Sequence, residues 1–187
     1  FGQPGSIRFP IDGLRGRLQP LPPLQALAQG KGFFMDRRYP AHPMVGVGAI
    51  VFRGAEVLLI RRGREPALGK WSLPGGLVEL GEPLEAAVRR EVLEETGLEV
   101  LVGGLVAALD RIILDDERRI QYHYVLLDFL CHWKDGEPRT GDDAIACRFV
   151  PLNDLPAHAL TEGTEKVILR AFSRKDLPLL PVYDPSL

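Results

Sequence analysis

The sequence predicts a mixed α/β (α+β) fold: an αβα sandwich with a mixed β-sheet between helices. Strand-like runs come in unequal clusters around two helical segments, and neither a regular strand–helix alternation nor an internal repeat is visible. With 45% hydrophobic and 26% charged residues, the composition is that of a globular domain. A chain of 187 residues can bury a sizeable core, so we expect one main domain.

Residues 1–43 are predicted to form an N-terminal arm or extension. They are rich in Pro, Gly and Arg, and a short helix near Leu24–Ala28 is the regular element expected there. The first residues show neither an initiator methionine nor a signal-peptide pattern, as in an expression remnant or a processed end. A poorly ordered leader and a role in dimerisation or substrate closure both stay open for this arm.

The main domain is predicted to span residues 44–175. Runs rich in β-branched residues indicate strands at 45–52 and 56–61, joined by a hairpin at Arg53-Gly54-Ala55. A short strand at Trp71 ends in a turn, and a helix over 82–96 stops at Gly97, a residue type that favours helix ends. Further strands are predicted at 98–113, 120–133 and 146–150. A second helix is predicted at 161–173 and a C-terminal tail at 176–187.

The bulk properties exclude several function classes. A net charge of −2 does not favour binding to long nucleic acid. No run approaches the roughly 18 apolar residues of a membrane helix. Cys131 and Cys147 give no disulfide framework and are expected to be small core residues. We therefore expect a cytoplasmic protein that acts on a small substrate, with no membrane partner.

The first predicted helix carries acids where a structural helix would carry apolar residues. Its apolar stripe continues, at spacings of three and four, into Glu91, Glu94 and Glu95. Crowded carboxylates at the edge of a core repel one another, so either their pKa values rise or a cation neutralises them. Oxygen ligands without a nearby His or Cys favour Mg²⁺ or Mn²⁺. A solvated acidic face paired with Arg89 and Arg90 is the alternative.

The residues before this helix favour the metal interpretation. The turn at Leu73-Pro74-Gly75-Gly76 contains glycines that let the backbone approach a ligand, and a carbonyl there is a hard oxygen donor. The stretch 76–98 then resembles the Nudix box: Gly, five residues, Glu, seven residues, Arg-Glu, an aliphatic, any residue, Glu-Glu, any residue, Gly and an aliphatic. Every specified position is filled, and the order of elements from 45 to 172 is also similar to the Nudix αβα sandwich.

The resemblance implies a divalent-metal-dependent hydrolase of pyrophosphate bonds, with Mg²⁺ (or Mn²⁺) as cofactor. Glu91, Glu94 and Glu95 would carry the metal, helped by the carbonyl of Gly75. Glu91 would be the base or the ligand of the water-bearing metal, and Arg90 would hold a glutamate of the cluster in orientation. Some relatives use a carboxylate from a distant loop as the base, so that assignment stays open.

The same resemblance assigns supporting roles. Glu82 would brace the loop and the helix through Arg90, although an acid favoured by the helix dipole is an equally valid interpretation. Gly76 and Gly97 would support the site. Asp143 lies where many relatives carry an additional acidic ligand, more often Glu, and a simple polar turn at this position is the alternative.

The substrate residues are predicted on weaker grounds. Arg61 and Arg62 follow the second strand, and Arg111 interrupts an apolar strand, so all three could contact substrate phosphates. Solvated surface charge is the alternative. The stretch 46–76, followed by Tyr122-His123-Tyr124, is similar to bacterial ADP-ribose pyrophosphatase-like members, which favours ADP-ribose or another nucleoside diphosphate linked to a second group.

Other functions remain open at this point. Cleavage of nucleoside triphosphates, including damaged nucleotides, is the second hypothesis. A non-catalytic Nudix sensor would lack box acids or carry a DNA-binding domain, whereas here the acids are all present and the stretch after Ser173 is short. An RNA-decapping enzyme would need a basic track. Because the N-terminal arm could exchange between subunits, a homodimer is expected.

Overall fold

The computed structural model describes residues 37–141 and 144–176. This part of the chain contains β1 (Met44–Arg53), β2 (Glu56–Arg62), β3 (Trp71–Ser72), β4 (Gly75–Leu77), α1 (Leu84–Thr96), β5 (Glu99–Leu114), β6 (Ile120–Asp135), β7 (Ala144–Pro151), a 3₁₀ helix (Leu152–Ala157) and α2 (Thr164–Phe172). The predicted helix at Leu24–Ala28 and most of the predicted arm and tail lie outside the described residues, as does Asp143.

Strand β1 is the centre of a mixed sheet. It runs parallel to β6, pairing Met44–Val51 with Tyr124–Cys131, and antiparallel to the short β4. At its end it turns through the predicted hairpin into β2, which pairs with β3 and β7. Strand β5 forms a long antiparallel hairpin with β6. The predicted mixed sheet is therefore confirmed, and β1 pairs with β2, β4 and β6.

Helices cover both faces of this sheet, as the sequence predicts. Alternate residues of a strand point to opposite faces, and β1 is apolar on both of them. Toward α1 the core combines Val47, Ala49 and Val51 of β1 with Ala87, Val88 and Val92 of the helix. Toward α2 it combines Ile50 with Leu130, Ile168 and Ala171. Each buried valine, leucine or isoleucine among them contributes about 1.5–3 kcal/mol, so the two cores fix both helices against the sheet.

Strand β4 is the strand that the sequence did not predict. The predicted turn at Gly75-Gly76 is instead paired with β1, opposite Gly46–Gly48. Gly75 has φ 153°, and a β-carbon there would collide with the backbone of Val47. Because strand propensity rests largely on side-chain packing, a strand built from glycines carries almost no signal in the sequence.

Helix α1 begins at Leu84 rather than at Glu82. Pro83 occupies the N-cap with φ −63° and ψ 147°. Proline also disfavours a helical conformation in the residue before it, which keeps Glu82 in the preceding loop. Across the described ranges, no helix has the length and apolar character that a bilayer crossing needs.

Candidate active site

The C-terminal end of α1 is fixed by local chemistry. Gly97 adopts the left-handed conformation, with φ 71°, and its amide donates to the carbonyl of Leu93 at 2.9 Å. The hydroxyl of Thr96 donates to the carbonyl of Val92 at 2.6 Å. The last turns of the helix, which carry the three predicted metal-binding glutamates, are thereby held in a defined orientation beside β4.

Arg90 is the hub of the acidic cluster. Its Nε and Nη2 donate to the two carboxylate oxygens of Glu82 at 2.8 and 2.9 Å. Its Nη1 donates to Glu91 at 2.8 Å and to Glu94 at 3.2 Å, and Nη2 also reaches the carbonyl of Leu77 at 3.0 Å. The hydrogen bond from Arg90 lowers the pKa of Glu82, and that pairing raises the pKa of Arg90. One guanidinium therefore orients two of the predicted metal-binding acids.

Glu82 extends this network into the loop before α1. Its carboxylate also accepts a hydrogen bond from the backbone amide of Glu79 at 3.0 Å. The loop, Arg90 and the helix are thus joined through one side chain, which is the contact that the Nudix resemblance implies.

The two glycines of β4 form a cradle for the other acids. The amide of Gly75 donates to Glu95 Oε2 at 2.8 Å, and Glu95 is buried, with 8% exposure. The carboxylate of Glu91 packs directly on Gly76, where any β-carbon would collide with it. The close approach of helix and strand therefore requires a residue without a side chain at position 76.

Burial sets the electrostatics of Glu91. Loss of hydration raises its pKa above the ordinary value, and the charge of Glu94 raises it further. The hydrogen bond and charge of Arg90 oppose this shift. Glu94 itself is at the mouth of the site, with 59% of its side chain exposed. A further cation beside these groups would lower the cost of ionising Glu91.

A cavity of about 260 Å³ lies beside α1 and is suited to such a cation. We call it the acidic cavity after the four acids in its lining: Glu79, Glu91, Glu94 and Glu95. The cradle glycines and four arginines also line it: Arg37, Arg62, Arg64 and Arg90. Within 37–141 and 144–176, no three acidic, His or Cys groups converge as a ready-made metal site. Glu94 is turned to Arg90, and Glu95 to the amide of Gly75. The donors are all hard oxygens, which fit Mg²⁺ or Mn²⁺, so the residues fit the metal provided that at least one carboxylate rotates.

A larger cavity, of about 840 Å³, adjoins the acidic one. The two share five lining residues: Arg37, Arg62, Gly75, Gly76 and Leu77. Its volume is within the range of about 300–1,000 Å³ that is typical of small-molecule sites. The arrangement gives an acidic compartment and a ligand-sized compartment that meet at the β4 glycines.

The three arginines predicted to bind substrate have different positions. Arg62 lines both cavities, and burial lowers its pKa. Arg111 lines the larger cavity and pairs with Glu162 at 2.6 Å. Arg61 is found in the described lining of neither cavity; its Nε donates to the carbonyl of Gly69 at 2.9 Å. Since neighbouring strand residues point to opposite faces, the structure brings Arg62 but not Arg61 to the cavities.

Several polar residues of the larger cavity were not assigned to the site from the sequence, among them three buried ones. Asp128 lies in an apolar run of β6, is 8% exposed, and lines this cavity. The buried hydroxyls of Ser72 and Tyr124 line it as well, and neither has a hydrogen-bond partner within the described ranges. The sequence signal for Asp128 was a charged residue within an apolar strand, because aspartate is seldom fully buried unless it is paired.

Because Asp128 is buried, we expect the free energy of unfolding to depend on pH. Loss of hydration raises its pKa from 3.8 to about 6, so the folded state holds the proton more tightly than the unfolded state. The stabilising contribution is full below about pH 4 and is lost as pH rises through about 6, an effect of at most about 3 kcal/mol. In thermal melts from pH 4 to 7, wild type should lose stability relative to Asp128→Asn. A constant difference between the two proteins across this range would contradict it.

Comparison with known proteins agrees with this geometry. The family model described as NUDIX domain matches residues 42–171. The ADP-ribose pyrophosphatase of Methanocaldococcus jannaschii is 39% identical over 127 residues, 68% of this chain and 72% of that protein. The putative 8-oxo-dGTP diphosphatase 2 of Mycobacterium tuberculosis is 42% identical over 105 residues, 56% and 70% of the two chains. A MutT NUDIX hydrolase structure from Burkholderia pseudomallei has a TM-score of 0.61 at 37% identity, covering 69% of this chain and 98% of its own. The chain belongs to the Nudix hydrolase family and is a Nudix pyrophosphohydrolase.

Proposed function

We propose that the enzyme hydrolyses a nucleoside diphosphate linked to a second group, with ADP-ribose as the leading substrate. The observation that carries this proposal is the junction of the acidic cavity with the 840 Å³ cavity at the β4 glycines. A diphosphate at that junction would lie between the acids of α1 and a compartment large enough for a nucleoside. The similarity to the ADP-ribose pyrophosphatase of M. jannaschii supports the same substrate class.

The acids of α1 would hold the divalent cation. Glu91, Glu94 and Glu95 are the proposed ligands, with the carbonyl of Gly75 as a further oxygen donor, and Asp143 stays a prediction as an additional ligand. When bound, Mg²⁺ or Mn²⁺ would withdraw charge from the diphosphate and lower the pKa of an attacking water.

Residues of the chain itself would transfer the proton and neutralise the charge of the diphosphate. Glu91 is the proposed base, since its carboxylate packs on Gly76, where the two cavities meet, and could accept a proton from the attacking water. As water adds to phosphorus, the P–O–P bond breaks and the proton held on Glu91 can pass to the leaving phosphate. Arg62, at the junction of the cavities, would neutralise diphosphate charge, and Arg111 would do so after release from Glu162.

Triphosphate cleavage, including removal of oxidised nucleotides, is the second candidate. The similarity to the 8-oxo-dGTP diphosphatase of M. tuberculosis favours it. The same acids would serve both reactions, so the two candidates differ in what occupies the larger cavity rather than in chemistry.

Metal-dependent turnover of a nucleotide panel tests the proposal. The nucleotide products would be separated by anion-exchange chromatography and measured with ADP-ribose, NADH, diadenosine polyphosphates, and normal and oxidised triphosphates. We expect cleavage in Mg²⁺ or Mn²⁺, its loss in EDTA, and the highest kcat/KM with ADP-ribose, which should yield AMP and ribose 5-phosphate. A higher kcat/KM with triphosphates would select the second candidate, and turnover that persists in EDTA would contradict the metal assignment.

A further inference from the structure

We propose that Asp128 recognises the sugar of the substrate: its carboxylate accepts hydrogen bonds from the vicinal 2′- and 3′-hydroxyls of the ribose in the larger cavity. The enzyme would then select ribose over 2′-deoxyribose compounds. This inference rests on the proposed function and adds a specificity-determining residue to it.

Asp128 lacks the partners that a buried acid needs. It is 8% exposed, and within 37–141 and 144–176 no side chain or amide donates a hydrogen bond to it. Burial raises its pKa, and among the described residues no arginine or lysine forms an ion pair with it. A buried carboxylate without donors is costly, and a ligand that supplies two hydroxyl donors would remove that cost.

The position of Asp128 places it near the proposed diphosphate. Gly48 of β1 pairs with Asp128 on one side and with Gly75 on the other. Neighbouring strands lie about 4.8 Å apart, so the α-carbons of Asp128 and Gly75 are separated by roughly 10 Å. The carboxylate folds over Gly48, where a β-carbon would collide with it. The carboxylate therefore lies over β1, between β6 and the β4 glycines at which the two cavities meet.

The rest of the same row favours a nucleoside with its sugar at Asp128. Tyr122, Tyr124, Leu126 and Asp128 are alternate residues of β6, and all four line the cavity. The ring centroids of the two tyrosines lie 6.1 Å apart, with 14° between the ring planes. Both tyrosines are at least four residues from Asp128 along β6, which is roughly 13 Å or more. Aromatic rings suit a base. The row thus offers a carboxylate and aromatic rings along one wall of the cavity, the two kinds of group that suit the sugar and the base of a nucleoside.

Ser72 gives a second, independent indication. Its hydroxyl is buried, lacks a hydrogen-bond partner in the described ranges and lines the same cavity. The next residue, Leu73, has its Cδ1 3.7 Å from the position that a β-carbon on Gly48 would take, which places this segment beside the Asp128 carboxylate. Two unpartnered polar groups at one end of a cavity indicate a ligand that forms hydrogen bonds there.

The test compares ribose and 2′-deoxyribose substrates in wild type and variants. The kcat/KM of ADP-ribose would be measured against that of its analogue lacking the adenosine 2′-hydroxyl, and that of ATP against dATP. Loss of a hydrogen bond to a charged group corresponds to about a 10- to 100-fold effect, so we expect wild type to favour ribose by that factor. In Asp128→Ala the ratio should fall toward one, mainly through KM, because the sugar contact forms in the bound substrate before reaction. Asp128→Asn, with one acceptor retained, should be intermediate.

Asp110→Asn is the matched control, since Asp110 is an exposed aspartate of β5 outside the described lining of the cavity. It should keep the wild-type ratio. A ribose-to-deoxyribose ratio of kcat/KM near one in wild type, or an unchanged ratio in both Asp128 variants, would overturn the inference. The wild-type measurement does not depend on the folding of any variant. Absence of ADP-ribose turnover would count against the proposed function instead, and the ATP and dATP pair would then test Asp128 alone.

Discussion

Glu95→Gln is expected to lower kcat by on the order of 100-fold or more while leaving the fold intact. Glutamine keeps an oxygen that can accept the hydrogen bond from the amide of Gly75, so the contact between α1 and β4 survives. The charge that would bind a divalent cation is lost. Glu94→Gln should show a similar loss, with an even smaller effect on stability, because Glu94 is largely exposed. Steady-state kinetics at saturating Mn²⁺, with thermal melts of each variant, measure both effects.

Glu85→Gln supplies the control for these variants. Glu85 is on the same helix and pairs with Arg89, outside the described lining of the acidic cavity. The same change of charge at this position should leave kcat within about twofold of wild type. Wild-type rates in both Glu94→Gln and Glu95→Gln would show that the acids of α1 are structural.

Arg90→Lys is expected to lower kcat by about 10- to 100-fold, because groups that orient metal ligands typically have effects of this size. Lysine keeps the positive charge, but an ammonium cannot form the planar, two-pronged contact that the guanidinium makes with Glu82. It also cannot hold Glu91 and Glu94 at the same time in the observed geometry. A higher Mn²⁺ concentration for half-maximal activity should accompany the lower rate.

Arg89→Lys is the adjacent control. Arg89 is exposed and pairs with Glu85, so the same substitution one residue away should leave both the rate and the metal requirement unchanged. If Arg90→Lys retained full activity with the wild-type Mn²⁺ requirement, charge alone would be sufficient and the orienting network would have no catalytic consequence.

The helix and its acids could be predicted because their signals are local. Helical periodicity relates residues three and four apart, and the glycine after Thr96 marks the helix end, so Glu91, Glu94 and Glu95 could be placed on one face from the sequence. The strand runs of β1, β2, β5 and β6 were likewise recognisable from their composition, to within one or two residues at most ends.

The remaining features depend on contacts between distant parts of the chain. The parallel pairing of β1 with β6 is such a contact. It determines that Gly48 lies between Gly75 and Asp128, and neither the role of β4 nor that of Asp128 can be inferred before this register is known. The choice between Arg61 and Arg62 also depends on which face of β2 borders the cavities. The cytoplasmic location, the homodimer and the function of residues 1–43 stay predictions.

Mn²⁺ binding to the purified protein is the most direct test of a metal site on α1. Electron paramagnetic resonance of free Mn²⁺ during a titration would give the affinity of wild type, Glu94→Gln, Glu95→Gln and Glu85→Gln without any substrate. We predict saturable binding to wild type and Glu85→Gln, weakened by about tenfold or more in the other two variants. Equal Mn²⁺ affinity in all four proteins would contradict a metal site formed by the acids of α1.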